Sequence, residues 1–314
     1  MKIIDLHCDV LDKLTRFENA SFRNDARLNA NLERLKAGNV KVQVFAIFIH
    51  SDIPENEKFL AAVRQIEAFH TKVLNEPEMV HITDWEQINQ LEEGQIGAVL
   101  SLEGCDCIGE DLFKLEHILN AGVKLVGLTW NHENAVAFGA SEEPSKGLKP
   151  FAHKVIQLLN ERNVLIDVSH LNEQGFYDLL PMAKYLIASH SNARTLCDHP
   201  RNLTDAQIKD LVKHGGRIHV VFYPPFIESE KEYTSVDYLV KHVEHIASLI
   251  GIQNIGFGSD FDGTDPLYVE GIAHAGQYEN FVKALLKTFT FEEVSIMAHK
   301  GFKKYVTKMN KARG

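Results

Sequence analysis

The chain has 314 residues, 45% of them apolar, with 33 Lys and Arg against 43 Asp and Glu for a net charge of −10. That apolar content can bury a large core without cross-links, and the acidic balance argues against nucleic acid or an anionic membrane as the main partner. Four cysteines (Cys8, Cys105, Cys107, Cys197) in a chain of this length do not make a disulfide framework. MKIIDLHCD has neither the apolar core nor the cleavage site of a signal peptide, and no apolar run approaches the roughly 18 residues of a membrane span. A cytoplasmic protein is expected, with no membrane or nucleic-acid partner.

In chain order, strand-like segments occur at KIIDLH (2–7), VKVQVFAIFI (40–49), IGAVLSLE (96–103), VKLVGLTW (123–130), VLIDVSH (164–170), YLIASH (185–190), RIHVVFY (217–223) and NIGFGSD (254–260). Helical periodicity fills the intervals at 55–76, where Phe59, Val63, Ile66 and Phe69 form one stripe, and at 113–122, 150–163, 205–216 and 235–251. A further helical stretch at 278–290 follows the last strand. Several helices end in Gly before a new apolar run, the expected stop signal. Alternating strands and helices imply right-handed crossovers and a parallel sheet, and eight such units predict a closed (β/α)8 TIM barrel. No Pro/Gly/Ser-rich linker divides the chain, so residues 1–314 are expected to form one α/β domain, with 50–95 and 130–150 as elaborations.

Six polar residues close these apolar segments: His7 and Asp9, Glu103, His170, His190 and Asp260. The C-terminal ends of barrel strands are where active sites are built. Imidazoles with carboxylates suit Zn2+ and similar divalent cations, whereas an all-oxygen set would suggest Mg2+ or Ca2+. Glu103 offers two oxygens and can bridge two cations, with His170 and His190 supplying nitrogens to the second. Two cations about 3.5–4 Å apart can share and deprotonate a water near neutral pH. Asp260 is expected to move the proton, Asp262 shares its parity and competes for that role, and Asp5 is expected to support the donors from one layer deeper. Cys8 alternates away from His7 and Asp9, and the Cys105/Cys107 pair lacks the second pair of a structural zinc site, so the thiols are expected to be spectators. Neither a phosphate-binding glycine loop nor a G-x-S-x-G elbow is present, which argues against a nucleotide cofactor and serine chemistry.

The motifs IDLHCD, SLEG (101–104), LIDVSH (165–170), SHSNAR (189–194), HPRN (199–202) and GSDFDG (258–263) together resemble the membrane (renal-type) dipeptidases, peptidase family M19, of the amidohydrolase superfamily. The resemblance implies two zinc ions, one held by His7, Asp9 and Glu103, the other by Glu103, His170 and His190. It implies hydrolysis of dipeptides, often with a D-residue at the C-terminal position, and a homodimer. On this pattern Arg201 binds the substrate carboxylate, a role its guanidinium fork suits, and Tyr223 lines the substrate site. One departure stands out. Many members carry a His at the end of the fourth strand, where this chain has Trp130, followed by His132. His132 is expected to take over the carbonyl-polarising role, or Trp130 to narrow the pocket. A lactam, lactone or N-acyl amino acid is therefore an alternative substrate, and a non-catalytic metal- or peptide-binding barrel is the alternative from another class.

Overall fold

The computed structural model describes residues 1–229 and 231–311. Eight strands line one barrel: β1 (Ile3–Asp5), β2 (Val40–Phe48), β3 (Ile96–Glu103), β4 (Val123–Gly127), β5 (Leu165–Asp167), β6 (Leu186–Ile187), β7 (Ile218–Val220) and β8 (Ile255–Phe257). All pair in parallel, in the order β6-β5-β4-β3-β2-β1-β8-β7. The two ends of that row meet where Ala188 bridges Ile218. Ala188 N–H donates to the Arg217 carbonyl at 2.8 Å and its carbonyl accepts from His219 N–H at 2.9 Å. The expected (β/α)8 barrel is therefore the fold.

Strand alternation sorts the apolar residues into two layers. Ile4, Val42, Val44, Val99, Leu125, Leu165 and Ile187 cluster inside the barrel. Their neighbours, among them Ile3, Phe45, Ile47, Leu100, Ile166 and Ile218, pack outward beneath the helices. The inner cluster is floored by Trp85, from the short helix Trp85–Asn89, and by Phe302, Val306 and Met309 of the helix Gly301–Lys311. Trp85 meets Phe302 edge-on at 5.4 Å. With its lower end floored by these apolar side chains, the barrel gathers its candidate donors at the opposite rim.

The six expected helical stretches all form, as Glu55–Ala68 (continuing as a π turn, Phe69–Val73), Leu112–Asn120, Ala152–Glu161, Asp205–Lys213, Val236–Ile250 and Tyr278–Leu285. Short helices at Val10–Arg16, Leu32–Ala37 and Glu173–Leu179 lie outside the expected pattern. So do a ninth strand, Met79–His81, beside β3, and a two-stranded pair, Tyr233–Ser235 with Tyr268–Glu270. Among the described residues no helix is long and apolar enough to cross a membrane.

Candidate metal centre

Each expected donor leaves the rim of its strand. Glu103 is the last residue of β3, while His170, His190 and Asp260 each stand three residues beyond β5, β6 and β8. His170 and Asp260 hold φ angles of 69° and 65°, a left-handed conformation that is uncommon outside glycine and is found where surrounding structure imposes it. The Asp260 amide is tied to the His7 carbonyl at 3.1 Å. Gly258 belongs to the same turn, and a Cβ there would lie 1.7 Å from the Ser189 carbonyl oxygen. The glycine of GSD is thus required by the close approach of β8 to the end of β6.

The six side chains converge. His7 Nε2 lies 3.4 Å from Asp9 Oδ2, 3.3 Å from Glu103 Oε2 and 3.7 Å from Asp260 Oδ1. The other Glu103 oxygen, Oε1, lies 2.8 Å from His170 Nε2 and 3.6 Å from His190 Nε2. Every donor except Asp260 is nearly inaccessible to solvent. Even so, both ring nitrogens of His7 and Asp9 Oδ1 have no hydrogen-bond partner. Buried polar atoms are rarely left so, and an imidazole and carboxylate set with unmet lone pairs fits a divalent cation.

The charges point the same way. Burial alone would lower the His7 pKa, but the Glu103 and Asp9 carboxylates hold it well above the usual imidazole range. Burial would raise Glu103, but His7 and His170 pull it well below the ordinary carboxylate value. Burial and the Glu103 charge lift Asp9 to about 6, and burial with the Asp9 charge lifts Asp260 well above its ordinary value. Burial, with the Arg201 charge, pushes His170 down to about 3. Three carboxylates sharing one protonated imidazole compete for charge compensation, which a divalent cation relieves.

Supporting residues that the sequence reading did not single out hold these donors. His170 Nδ1 is 2.8 Å from Asn131 Oδ1, and His190 Nδ1 is 2.7 Å from the Ser189 hydroxyl, which donates to Asp167. Asp167 shares the inward parity of Leu165, the one signal that marked it. Asp5, expected one layer beneath the donors, instead alternates away from Ile4 and the barrel interior, accepting from the Ser259 hydroxyl at 2.6 Å and from the Ser259 and His7 amides. Asp262 is engaged elsewhere: Lys13 Nζ (2.8 Å) and the amides of Asn29 (2.7 Å) and Ala30 (2.9 Å) occupy its oxygens. The four cysteines are buried, unpaired and outside the donor groups.

A cavity of about 560 Å3 opens over the cluster, lined by Asp9, Glu103, His170 and Asp260 and walled by Trp130 and Phe48, whose rings meet edge-on at 5.2 Å. Arg201 is 4% exposed; its Nη2 donates to the His190 carbonyl at 3.4 Å, and its Nε has no partner. Tyr223 packs edge-on against Phe226, which lies under the Arg201 guanidinium, and its hydroxyl pKa is raised by burial and by the Asp260 charge. His132 is not drawn into the cluster. Its side chain is 54% exposed, 3.7 Å from Glu142, because the strand ends at Gly127 and the chain beyond turns outward.

Residues 1–310 match the membrane dipeptidase family (peptidase family M19). The chain belongs to that family. It is accordingly a metallopeptidase of the dipeptidase kind, a hydrolase of the peptide bond. It is 28% identical over 311 residues to an uncharacterized dipeptidase of Schizosaccharomyces pombe, covering 91% of this chain and 74% of the relative. In structure it is similar to a Rhodobacter sphaeroides metallo peptidase, solved with a phosphinate mimic of the dipeptide L-Ala-D-Ala. The TM-score is 0.92 at 21% identity, over 98% of this chain and 99% of that one. It is also similar to a Pseudomonas aeruginosa amidohydrolase, with a TM-score of 0.83 at 19% identity over 98% and 96% of the two chains.

Proposed function

We propose that the chain hydrolyses dipeptides with a dinuclear, zinc-type centre, L-Xaa-D-Xaa substrates among them. The observation that carries this reading is Glu103, whose two oxygens face different partners, Oε2 toward His7 and Oε1 toward His170 and His190. His7, Asp9 and Glu103 would hold one cation, and Glu103, His170 and His190 the other. Bound there, the cations would supply an activated water and polarise the scissile carbonyl. The protein's own groups do the rest. Asp260, beside Asp9 and open to the cavity, takes the proton from the attacking water on a carboxylate oxygen and returns it to the leaving amine. Arg201 binds the carboxylate end of the substrate, since its Nε is free to donate. Trp130 and Phe48 shield the reacting end from water and limit the side chain it accepts. The dipeptide mimic bound by the Rhodobacter relative supports the substrate class.

Trp130 also favours a second reading, in which a narrowed cavity accepts a lactam, lactone or N-acyl amino acid. A library of L,L- and L,D-dipeptides, assayed on zinc-reconstituted protein beside those compounds with product chirality resolved, tests the choice. Cleavage of L,D-dipeptides is expected. No cleavage of any dipeptide would reject the first reading.

A further inference from the structure

At the end of the barrel opposite the donor cluster, a second cavity of about 610 Å3 lies between the strand starts and the last helix. Five of its lining residues are cationic, Lys184, Arg217, Lys300, Lys304 and Lys308, against one carboxylate, Glu292. This local excess occurs in a chain whose net charge is −10. Lys300, Lys304 and Lys308 recur every four residues along the π turn Ile296–Lys300 and the helix Gly301–Lys311. Like charges at that spacing repel on one helix face. Lys300 is paired with Glu292 at 2.6 Å, whereas Lys304 and Lys308 have no ion-pair partner among the described residues.

Arg217 adds an independent observation. It is 2% exposed, and its two terminal nitrogens donate to the carbonyls of Gln253 and Ile255, but among the described residues its Nε has no partner and no carboxylate pairs with it. A buried cation without counter-charge is costly. Burial accordingly pushes its pKa down to about 10. An anion in the cavity would provide the missing charge. Lysine ammonium groups are point charges suited to phosphate, and the volume is that of a small-molecule site, with the rings of Tyr185 and Tyr305 on its wall.

We propose that this cavity binds a small phosphate-bearing anion through Arg217 and the Lys304–Lys308 face, separately from the dipeptide site at the other end of the barrel. Calorimetric titration at low ionic strength with inorganic phosphate and with AMP tests it on the metal-loaded protein. Saturable one-to-one binding is expected, weakened about tenfold or more in a Lys304→Glu/Lys308→Glu variant. The same charge change made elsewhere, Lys283→Glu/Lys287→Glu, should leave it intact. Tighter binding of AMP supports an organic phosphate with an aromatic body, and equal binding supports the free ion. Absence of saturable binding, or affinity unchanged by the Lys304/Lys308 substitutions, would overturn the proposal. The second result would also reveal phosphate held at the metal centre instead. Both lysines are exposed, so the variant does not depend on the fate of buried Arg217.

Discussion

The Nε2 atoms of His170 and His190 face each other across 2.8 Å, while each ring's Nδ1 is engaged elsewhere. The Ser189 hydroxyl has one proton and gives it to Asp167, so it accepts from His190 Nδ1–H. Asn131 Oδ1 can only accept, so His170 also carries its proton on Nδ1. Two lone pairs therefore point at the same space, an arrangement that repels until a cation lies between them. Chelator-treated protein should melt about 5 °C or more below zinc-reconstituted protein. The gap should narrow in His190→Ala. Scanning calorimetry reads both, and equal melting points would reject the metal site.

The Ser189 hydroxyl contacts His190 Nδ1 at 2.7 Å and is not itself one of the candidate donors. Ser189→Ala should lower metal affinity about 10–100-fold while leaving all five donors present. Competition against a chromophoric chelator measures this, and an unchanged affinity would leave the hydroxyl no orienting role.

Asp260 differs from the other carboxylates in being 16% exposed and turned to the cavity. Asp260→Asn keeps its size and removes its proton-transfer capacity. The kcat for dipeptides should fall about 10²–10⁴-fold, with bound metal unchanged by elemental analysis. Full turnover in this variant would assign the proton to another group.

Arg201 is expected to read the substrate carboxylate. Arg201→Ala should raise KM about 10–100-fold for dipeptides, with little further effect on dipeptide amides, which lack that charge. An equal loss on both substrates would make Arg201 a support for the His190 backbone and not a substrate contact.

His219 supplies a pH dependence that substitution separates from that of the donor cluster. It is 1% exposed inside the barrel, its Nδ1 is 3.0 Å from the Ala188 carbonyl, and burial with the Arg217 charge pushes its pKa down to about 3. Unfolded, it titrates near 6.5. Below about 6.5 the unfolded chain takes up a proton that the folded chain refuses, so stability is lost as pH falls from about 6.5 toward 3. In metal-free protein, Tm should drop over this window, and less steeply in His219→Gln. Parallel curves for the two proteins would exclude His219 as a source.

The barrel was legible in the sequence because its eight strands are short apolar runs, five of them closing on His, Glu or Asp, and parallel strands buried on both faces read as such runs. The donors were legible for the same reason: Glu103 and His190 close such runs. Asn131 and Ser189 were not, since a side chain that orients a ligand lies beside it in space without any fixed offset along the chain. His132 lies beyond the reach of strand parity, because the strand stops at Gly127. The plug of Phe302, Val306 and Met309 does follow helical spacing, but its many lysines mask the apolar stripe. The pairs Tyr233–Ser235 and Tyr268–Glu270 are too short to show any period.

The floor of the barrel has a consequence for biosynthesis. Asp5 of the first strand pairs with Phe257 of the last, and the floor of the interior is completed, beside Trp85, by residues 302–309. Ile4, Val42 and Val99 therefore await partners translated some 200–300 residues later. Contacts this distant in sequence slow folding and leave apolar surface open while the ribosome is still at work. The nascent chain should engage chaperones until its final helix emerges, and polar substitutions at Phe302 should show first as lost yield of protein, before any change in the turnover of the molecules that fold.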